Sequence, residues 1–168
     1  MTSWRGLLSS APDAQAFGAA LGALLEAGDL LVLNGPLGAG KTTLTQGLAG
    51  GMGVRGPITS PTFVIARVHP SLVDGPKLVH VDAYRLGGSA ELDDLDLDTE
   101  FEQAVTVVEW GAGLAESLGE NRLEITLSPS SDGSRQVAIV GVGQRWVDAD
   151  TFVPLARWCD SGEEHDIS

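Results

Sequence analysis

Short runs of apolar residues are the most regular feature of the chain. Residues 30–33 are apolar throughout, and residues 78–82 and 105–109 are mostly apolar runs that each end in a carboxylate. Apolar runs of this length are typical of strands that are buried on both faces of a parallel sheet. The run at residues 63–68 predicts a further strand.

Helical spacing of apolar residues is found in two other segments. In residues 13–26 the apolar side chains recur every three or four positions, which predicts an amphipathic helix with Pro12 in its first turn and Gly28 at its end. Residues 41–48 predict a second helix, which ends at the pair Gly50 and Gly51. Two more helices are predicted at residues 89–103 and 112–118.

The order of these elements indicates the fold class. Strands and helices alternate first, and two strands at residues 122–127 and 136–140 then form a hairpin around a polar turn. This order predicts an α/β fold with a mostly parallel central sheet and antiparallel strands at its edges. The domain is expected to occupy residues 1–145. An extension, residues 146–168, is expected to form a short helix before a mobile acidic end, through the apolar residues Trp146, Phe152, Leu155 and Trp158.

The composition limits what the chain can bind. Its 168 residues suit one domain, and its net charge of -13 opposes direct binding to the phosphate backbone of nucleic acids. Cys159 is the only cysteine, so no disulfide can form within the chain, and the three separated histidines do not suggest a zinc site. No apolar run approaches the ~18 residues of a membrane helix. We therefore expect a cytoplasmic protein.

A glycine-rich run after the strand at residues 30–33 carries the strongest chemical signal. The run Gly35-x-x-x-x-Gly40-Lys41-Thr42 matches the Walker A pattern of P-loop proteins in full. Glycines let backbone N–H groups converge on phosphate oxygens, and the N-terminus of the following helix adds its dipole. We therefore predict an ATP site, in which Lys41 neutralises the β- and γ-phosphates and the Thr42 hydroxyl binds Mg²⁺.

Two carboxylates, Asp82 and Glu109, stand at the ends of predicted buried strands. P-loop enzymes need carboxylates near the metal, usually at the tip of an apolar strand that faces the phosphates. One of the two is expected to hold Mg²⁺, directly or through water, and the other to orient or deprotonate the attacking water. The sequence pattern is compatible with either assignment.

Four other features are weaker when each is taken alone. Residues 59–63 could sense the γ-phosphate, but they also suit an ordinary turn before a strand. Arg85 could bind phosphate or pair with nearby acids, and Trp110 could stack near the site or pack in the core. His80 shares a strand face with Asp82 by alternation, but a structural histidine is the more frequent case in a sheet.

Four motifs follow one another along the chain. They are residues 35–43, Thr59-Ser60-Pro61-Thr62-Phe63, His80-Val81-Asp82-Ala83-Tyr84-Arg85-Leu86 and Val107-Val108-Glu109-Trp110. In order and approximate spacing they resemble the TsaE family, bacterial ATPases of tRNA threonylcarbamoyladenosine synthesis. The resemblance covers roughly residues 7–142, and four motifs together are far more specific than a Walker A run alone.

The resemblance implies a three-layer P-loop NTPase fold and a set of site residues. It implies that Lys41, Asp82 and Glu109 are catalytic, with Thr42 and Glu109 at Mg²⁺ and Asp82 needed for hydrolysis. It also raises the weight of Trp110 and of residues 59–63. The residues expected to bind ATP are Gly35, Leu37, Gly38, Ala39, Gly40, Lys41, Thr42, Thr43 and Trp110.

The resemblance also implies protein partners. TsaE-like proteins work with TsaD and TsaB, which transfer a threonylcarbamoyl group to adenosine 37 of tRNA. The ATPase is implied to be weak alone and to support turnover of that complex. Its contact with tRNA would be indirect, in agreement with the acidic net charge of -13.

Two other functions fit part of the sequence. Asp82-Ala83-Tyr84-Arg85 loosely resembles the acceptor region of nucleoside-type P-loop kinases, although no arginine-rich lid segment follows it. A nucleotide-sensing interaction module, in which ATP orders a partner-binding surface, would need only the phosphate-binding loop. A GTPase is disfavoured, because the chain has no Asn-Lys-x-Asp motif.

Overall fold

The structure is a computed structural model that describes residues 2–36, 38–56, 58, 66–82, 102–109 and 121–159. Within these residues the chain forms one seven-stranded mixed sheet with helices packed against it. The predicted α/β class is confirmed. The elements, in chain order, are β1 (Thr2–Leu8), α1 (Ala11–Gly22), β2 (Leu30–Asn34), α2 (Lys41–Met52), β3 (Ala66–His69), β4 (Lys77–Asp82), β5 (Ala104–Glu109), β6 (Arg122–Pro129), β7 (Arg135–Val142) and two 3-10 helices (Gln144–Trp146 and Ala149–Trp158).

The strand order across the sheet is β1-β7-β6-β2-β5-β4-β3. The four central strands, β6, β2, β5 and β4, are parallel to one another, whereas β7, β1 and β3 are joined to the sheet by antiparallel pairing at its two sides. The strands predicted at residues 30–33, 78–82 and 105–109 are three of these four central strands, namely β2, β4 and β5. The predicted hairpin is β6 and β7, joined as expected by a short polar turn.

Helix α1 is shifted toward the N-terminus relative to the prediction. It begins at Ala11 because Ser10 caps it, and the Ser10 hydroxyl accepts a hydrogen bond from the Asp13 N–H at 3.2 Å. It ends at Gly22, so Gly28 lies beyond the helix, in the connection to β2. Leu25 is still buried although it follows the helix. The apolar spacing that extends the predicted helix to residue 26 therefore includes residues that are buried in the connection after the helix has ended.

The prediction that α2 ends at Gly50 and Gly51 is wrong. The helix continues to Met52, and Gly53 caps it with φ 73°, the left-handed conformation that favours glycine. Gly51 is needed for packing, because a Cβ there would collide with the carbonyl oxygen of Ala19 on α1. The two helix backbones approach each other closely along a row of glycines on both helices: Gly18, Gly22, Gly47 and Gly51.

We expect adjacent glycines of α2 to respond oppositely to alanine. A Cβ at Gly50 meets nothing within 4 Å, so Gly50→Ala should raise the free energy of unfolding by up to about 1 kcal/mol through helix propensity. Gly51→Ala should lower it by about 1–3 kcal/mol, because α1 must move away from α2. Urea denaturation of both variants measures the difference. A Gly51→Ala protein as stable as Gly50→Ala would contradict the close approach of the helices.

Strand β1 was not predicted, and it brings the two ends of the described chain together. It pairs antiparallel with β7, and a bridge links Gly6 to Cys159 just after the second 3-10 helix. The indole Nε1 of Trp158 donates a hydrogen bond of 2.8 Å to Asp13 at the start of α1. The apolar side chains that were expected to pack in the extension are buried: Trp146, Phe152, Leu155 and Trp158.

Several predicted segments lie outside the described residues. They are residues 59–65, the helix at 89–103 except for its last two residues, which form a turn, the helix at 112–118 and the acidic end from residue 161. None of the helices in the described part of the chain is long and apolar enough to cross a membrane.

Candidate functional site

The candidate site lies at the carboxyl ends of three neighbouring parallel strands. In the sheet register, Glu109 at the end of β5 is opposite Leu33 of β2 on one side and Asp82 of β4 on the other. Strand β2 continues directly into the glycine-rich loop that precedes α2. The topology therefore places Glu109 beside the strand that enters the loop and Asp82 one strand further away, although the side chain of Asp82 lies outside the described residues.

Three glycines shape the loop between β2 and α2. Gly35, Gly38 and Gly40 have φ of 149°, 81° and 100°, values that residues with a Cβ rarely adopt. Gly40 is the N-cap of α2 and has no side chain to satisfy the first N–H groups of the helix. These donors and the helix dipole favour an anion at this point, as the Walker A pattern predicts. Leu37 lies outside the described residues.

The first turn of α2 contributes Lys41, whose side chain is folded into the loop. Lys41 is only 7% exposed, and its Nζ donates hydrogen bonds to the carbonyl oxygens of Gly35 at 2.6 Å and of Pro36 at 3.4 Å. The positive charge is therefore held inside the glycine-rich loop. Thr42 and Thr43 follow in the same turn and are half-buried. Their hydroxyls lie in the part of the helix where an oxygen ligand for Mg²⁺ is expected.

Glu109 is a buried carboxylate with a specific neighbour. It is 4% exposed, and its Oε2 lies 3.1 Å from Nε2 of His80, which is 0% exposed. The prediction that His80 and Asp82 share a strand face also places Glu109 on that face, because Glu109 is in register with Asp82. Trp110, the next predicted site residue, lies outside the described residues, as do residues 59–63.

Arg135 is a residue of the loop environment that the sequence did not indicate. It begins β7, and its Nε donates a 2.8 Å hydrogen bond to the carbonyl oxygen of Ala39. A Cβ on Gly40 would lie 2.7 Å from the same Nε, so the loop and the arginine fit closely only with glycine at that position. The nearest signal in the sequence is the position of Arg135 after the hairpin turn. This position can be related to the glycine-rich loop only when the order of the strands is known.

The donors at this site suit a nucleotide phosphate together with a hard cation. Glycine-loop N–H groups and Lys41 are ligands for phosphate, and the oxygens of Thr42 and Glu109 are the type of ligand that Mg²⁺ binds. Among the described side chains, no group of three or more histidines, cysteines or acids could hold a metal ion by itself. At nucleotide sites Mg²⁺ usually takes several of its ligands from phosphate and water.

Comparison with known proteins gives one consistent family. The profile described as "Threonylcarbamoyl adenosine biosynthesis protein TsaE" matches residues 8–137. A Streptomyces coelicolor protein named tRNA threonylcarbamoyladenosine biosynthesis protein TsaE is 58% identical over 141 residues, which span 81% of this chain and 95% of that protein. The Bacillus subtilis protein of the same name is 40% identical over 126 residues, or 74% of this chain and 77% of the relative.

A solved structure is also similar over most of the chain. The crystal structure of Bacillus subtilis YdiB superposes with a TM-score of 0.74 at 31% sequence identity, covering 93% of this chain and 95% of that one. The similarity in fold therefore extends over nearly the whole length of both chains.

Proposed function

Because the chain belongs to the TsaE family of tRNA threonylcarbamoyladenosine biosynthesis proteins, we propose that it is the Mg-ATP-binding and ATP-hydrolysing subunit of that modification machinery. The proposal includes a three-layer P-loop NTPase architecture. The observation that carries the proposal is the arrangement of β2, the glycine-rich loop and α2, which follow one another directly. The Lys41 side chain lies inside this loop, and Glu109 ends β5, the strand that pairs with β2 in the sheet.

In this proposal the loop binds the phosphates and the strand ends carry the chemistry. Lys41 exchanges its hydrogen bonds to the Gly35 and Pro36 carbonyls for bonds to the β- and γ-phosphates. The Thr42 hydroxyl and the Glu109 carboxylate would hold Mg²⁺, and a bound Mg²⁺ would neutralise the negative charge that develops on the phosphates. Asp82 orients the attacking water and accepts its proton.

Three further residues complete the nucleotide site. Arg135 fixes the Ala39 carbonyl, and this bond holds the loop in the shape that directs its N–H groups to one point. By resemblance to the family, Leu37 contributes its backbone to the same loop and Trp110 packs against the nucleotide. Because Glu109 and Trp110 are adjacent, one strand end would supply both a metal ligand and an aromatic contact.

The partners follow from the family and from the charge. A role in threonylcarbamoyladenosine biosynthesis associates the chain with the other Tsa proteins, and we propose homologues of TsaD and TsaB as its direct partners. With a net charge of -13 this chain is repelled by the tRNA backbone, so we propose that its partners supply the tRNA-binding surface. ATP hydrolysis here would support turnover of their transfer reaction, and it would take place in the cytoplasm.

The proposal is tested by measuring ATP hydrolysis by the purified chain, alone and with TsaB and TsaD homologues from the same cell. We expect a low rate alone and a changed rate in the complex, together with repeated rounds of tRNA modification only when this chain and ATP are present. Phosphorylation of a nucleoside without any response to those proteins would identify a kinase instead. Nucleotide binding that supports the complex without hydrolysis would identify a sensing module.

A further inference from the structure

The hydrogen bond between His80 and Glu109 joins two buried side chains on neighbouring strands. His80 is the fourth residue of β4, its register partner on β5 is Val107, and Glu109 lies two residues further along on the same face. The Nε2–Oε2 distance is 3.1 Å, with side-chain exposures of 0% for His80 and 5% for Glu109. Water therefore has little access to this bond.

The role of Glu109 in the proposed function sets the direction of the bond. A carboxylate that binds Mg²⁺ is ionised and can only accept, so Nε2 of His80 carries the hydrogen and donates it to Oε2. The other ring nitrogen, Nδ1, has no hydrogen-bond partner among the described residues although it is buried. An unpartnered buried nitrogen is costly, and an aliphatic residue would avoid that cost in this apolar sheet. The bond to Glu109 is the contribution of His80 that an aliphatic residue could not make.

His69 on the adjacent strand β3 shows the contrast. It is also buried and lies on the same face, but its Nδ1 contacts a backbone carbonyl, that of Arg55, at 3.2 Å. Such a contact ties a strand to a loop and involves no candidate site residue. Both histidines are thus buried on the same face of the sheet, and of the two only His80 touches the acid at the candidate site.

We propose that His80 is a positioning residue, which holds Oε2 of Glu109 so that the carboxylate keeps one orientation and its other oxygen serves Mg²⁺. The inference rests on the proposed function, in which Glu109 is a magnesium ligand. A carboxylate held by a second group loses less rotational freedom when a metal binds, so the metal is bound more tightly. Groups of this kind typically affect metal affinity by about 10–100-fold.

The test separates binding of the metal from binding of the phosphates. The dissociation constant of ADP is measured by calorimetry in excess Mg²⁺ and again in EDTA for the wild type, His80→Leu and His80→Gln. The tightening by Mg²⁺ is the ratio of the ADP dissociation constant in EDTA to that in excess Mg²⁺. We expect this ratio to be about tenfold smaller in His80→Leu than in the wild type, with the dissociation constant in EDTA unchanged. His80→Gln keeps an N–H donor near the position of Nε2 and should recover most of the effect.

Two control variants make the outcomes distinct. His69→Leu removes the other buried histidine on this face of the sheet and should keep the full tightening of ADP binding by Mg²⁺, whereas Glu109→Gln should lose it. If Glu109→Gln loses the Mg²⁺ effect and His80→Leu keeps it, the positioning role is wrong and the proposed function stands. If Glu109→Gln also keeps it, the assignment of Glu109 to the metal is wrong. An equal loss in His80→Leu and His69→Leu would indicate general loosening of the sheet and would overturn the inference.

A measurement on the unmodified protein does not depend on whether the variants fold. Long-range ¹⁵N–¹H correlation spectra of protein labelled at its three histidines report which ring nitrogen of each carries the hydrogen, and the His80 signals are assigned by through-bond and nuclear Overhauser correlations in the same protein. We expect a protonated Nε2 at His80, with its hydrogen resonance shifted when Mg²⁺ is added to the ADP complex. An unprotonated Nε2 at His80 would exclude donation to Glu109 and would overturn the proposal.

Discussion

Replacing Lys41 with alanine is expected to weaken ATP binding by about 100-fold. Two charge-assisted hydrogen bonds to phosphate are lost, each worth about 1.5–3 kcal/mol, and 1.4 kcal/mol corresponds to tenfold in affinity. The Lys41 side chain is buried, and its ammonium group is bonded to the Gly35 carbonyl inside the loop, where the phosphates are expected to bind. Titration of a fluorescent nucleotide analogue into each protein gives the two dissociation constants directly.

The chain offers a matched control for this substitution. Lys77 is the only other lysine and begins β4, at the opposite end of the strand from Asp82. Lys77→Ala makes the same change in net charge and should leave nucleotide affinity within about twofold of the wild type, because charges separated by more than the Debye length are largely screened by salt. Equal weakening by the two substitutions would show that net charge, and not the position of Lys41, governs nucleotide binding.

Asp82→Asn is expected to lower the rate of ATP hydrolysis by about 10²–10⁴-fold and to leave nucleotide binding largely intact. The amide cannot accept a proton from water, and a general base typically contributes a factor of that size. Asp82 ends β4 in register with Glu109, so the substitution changes the strand end and not the glycine loop. Single-turnover hydrolysis of bound ATP measures the chemical step separately from product release.

Asp74→Asn provides the control for the same chemical change. Asp74 is exposed, lies in the turn before β4 and has φ 61°, a conformation that asparagine adopts as readily as aspartate. Its hydrolysis rate should equal that of the wild type. Equal single-turnover rates in the wild type and Asp82→Asn would refute the role given to Asp82, while Lys41→Ala would still report on the phosphate-binding loop.

The parts of the fold that can be predicted from sequence are those in which a local residue pattern is compatible with only one type of element. The strands at residues 30–33, 78–82 and 105–109 are apolar because both of their faces are buried in the centre of the sheet. Strand β1 has no such pattern, since alternate residues are exposed and Gly6 interrupts it. The glycines of α2 were misread because a glycine that ends a helix and one that admits a neighbouring helix look alike in sequence.

The site divides in the same way. The glycine loop, Lys41 and Thr42 are contiguous, so a motif is sufficient to find them. Asp82 and Glu109 are candidates because each ends an apolar strand, and the register of β4 and β5 places these two positions opposite each other. Arg135 and the His80–Glu109 hydrogen bond depend on which strands are neighbours and which atoms meet across them. No spacing along the chain carries that information.

The pairing of β1 with β7 has a consequence for how the protein is made. Thr2 pairs with Gly141 and Leu8 with Arg135, so β1 has no β7 partner until β7 has left the ribosome. At about 5–20 residues per second that delay lasts on the order of ten seconds, and such long-range pairings also slow folding itself. Strand β2 similarly requires β5 and β6. An incomplete nascent chain therefore carries the glycine-rich sequence long before it has the sheet that shapes it.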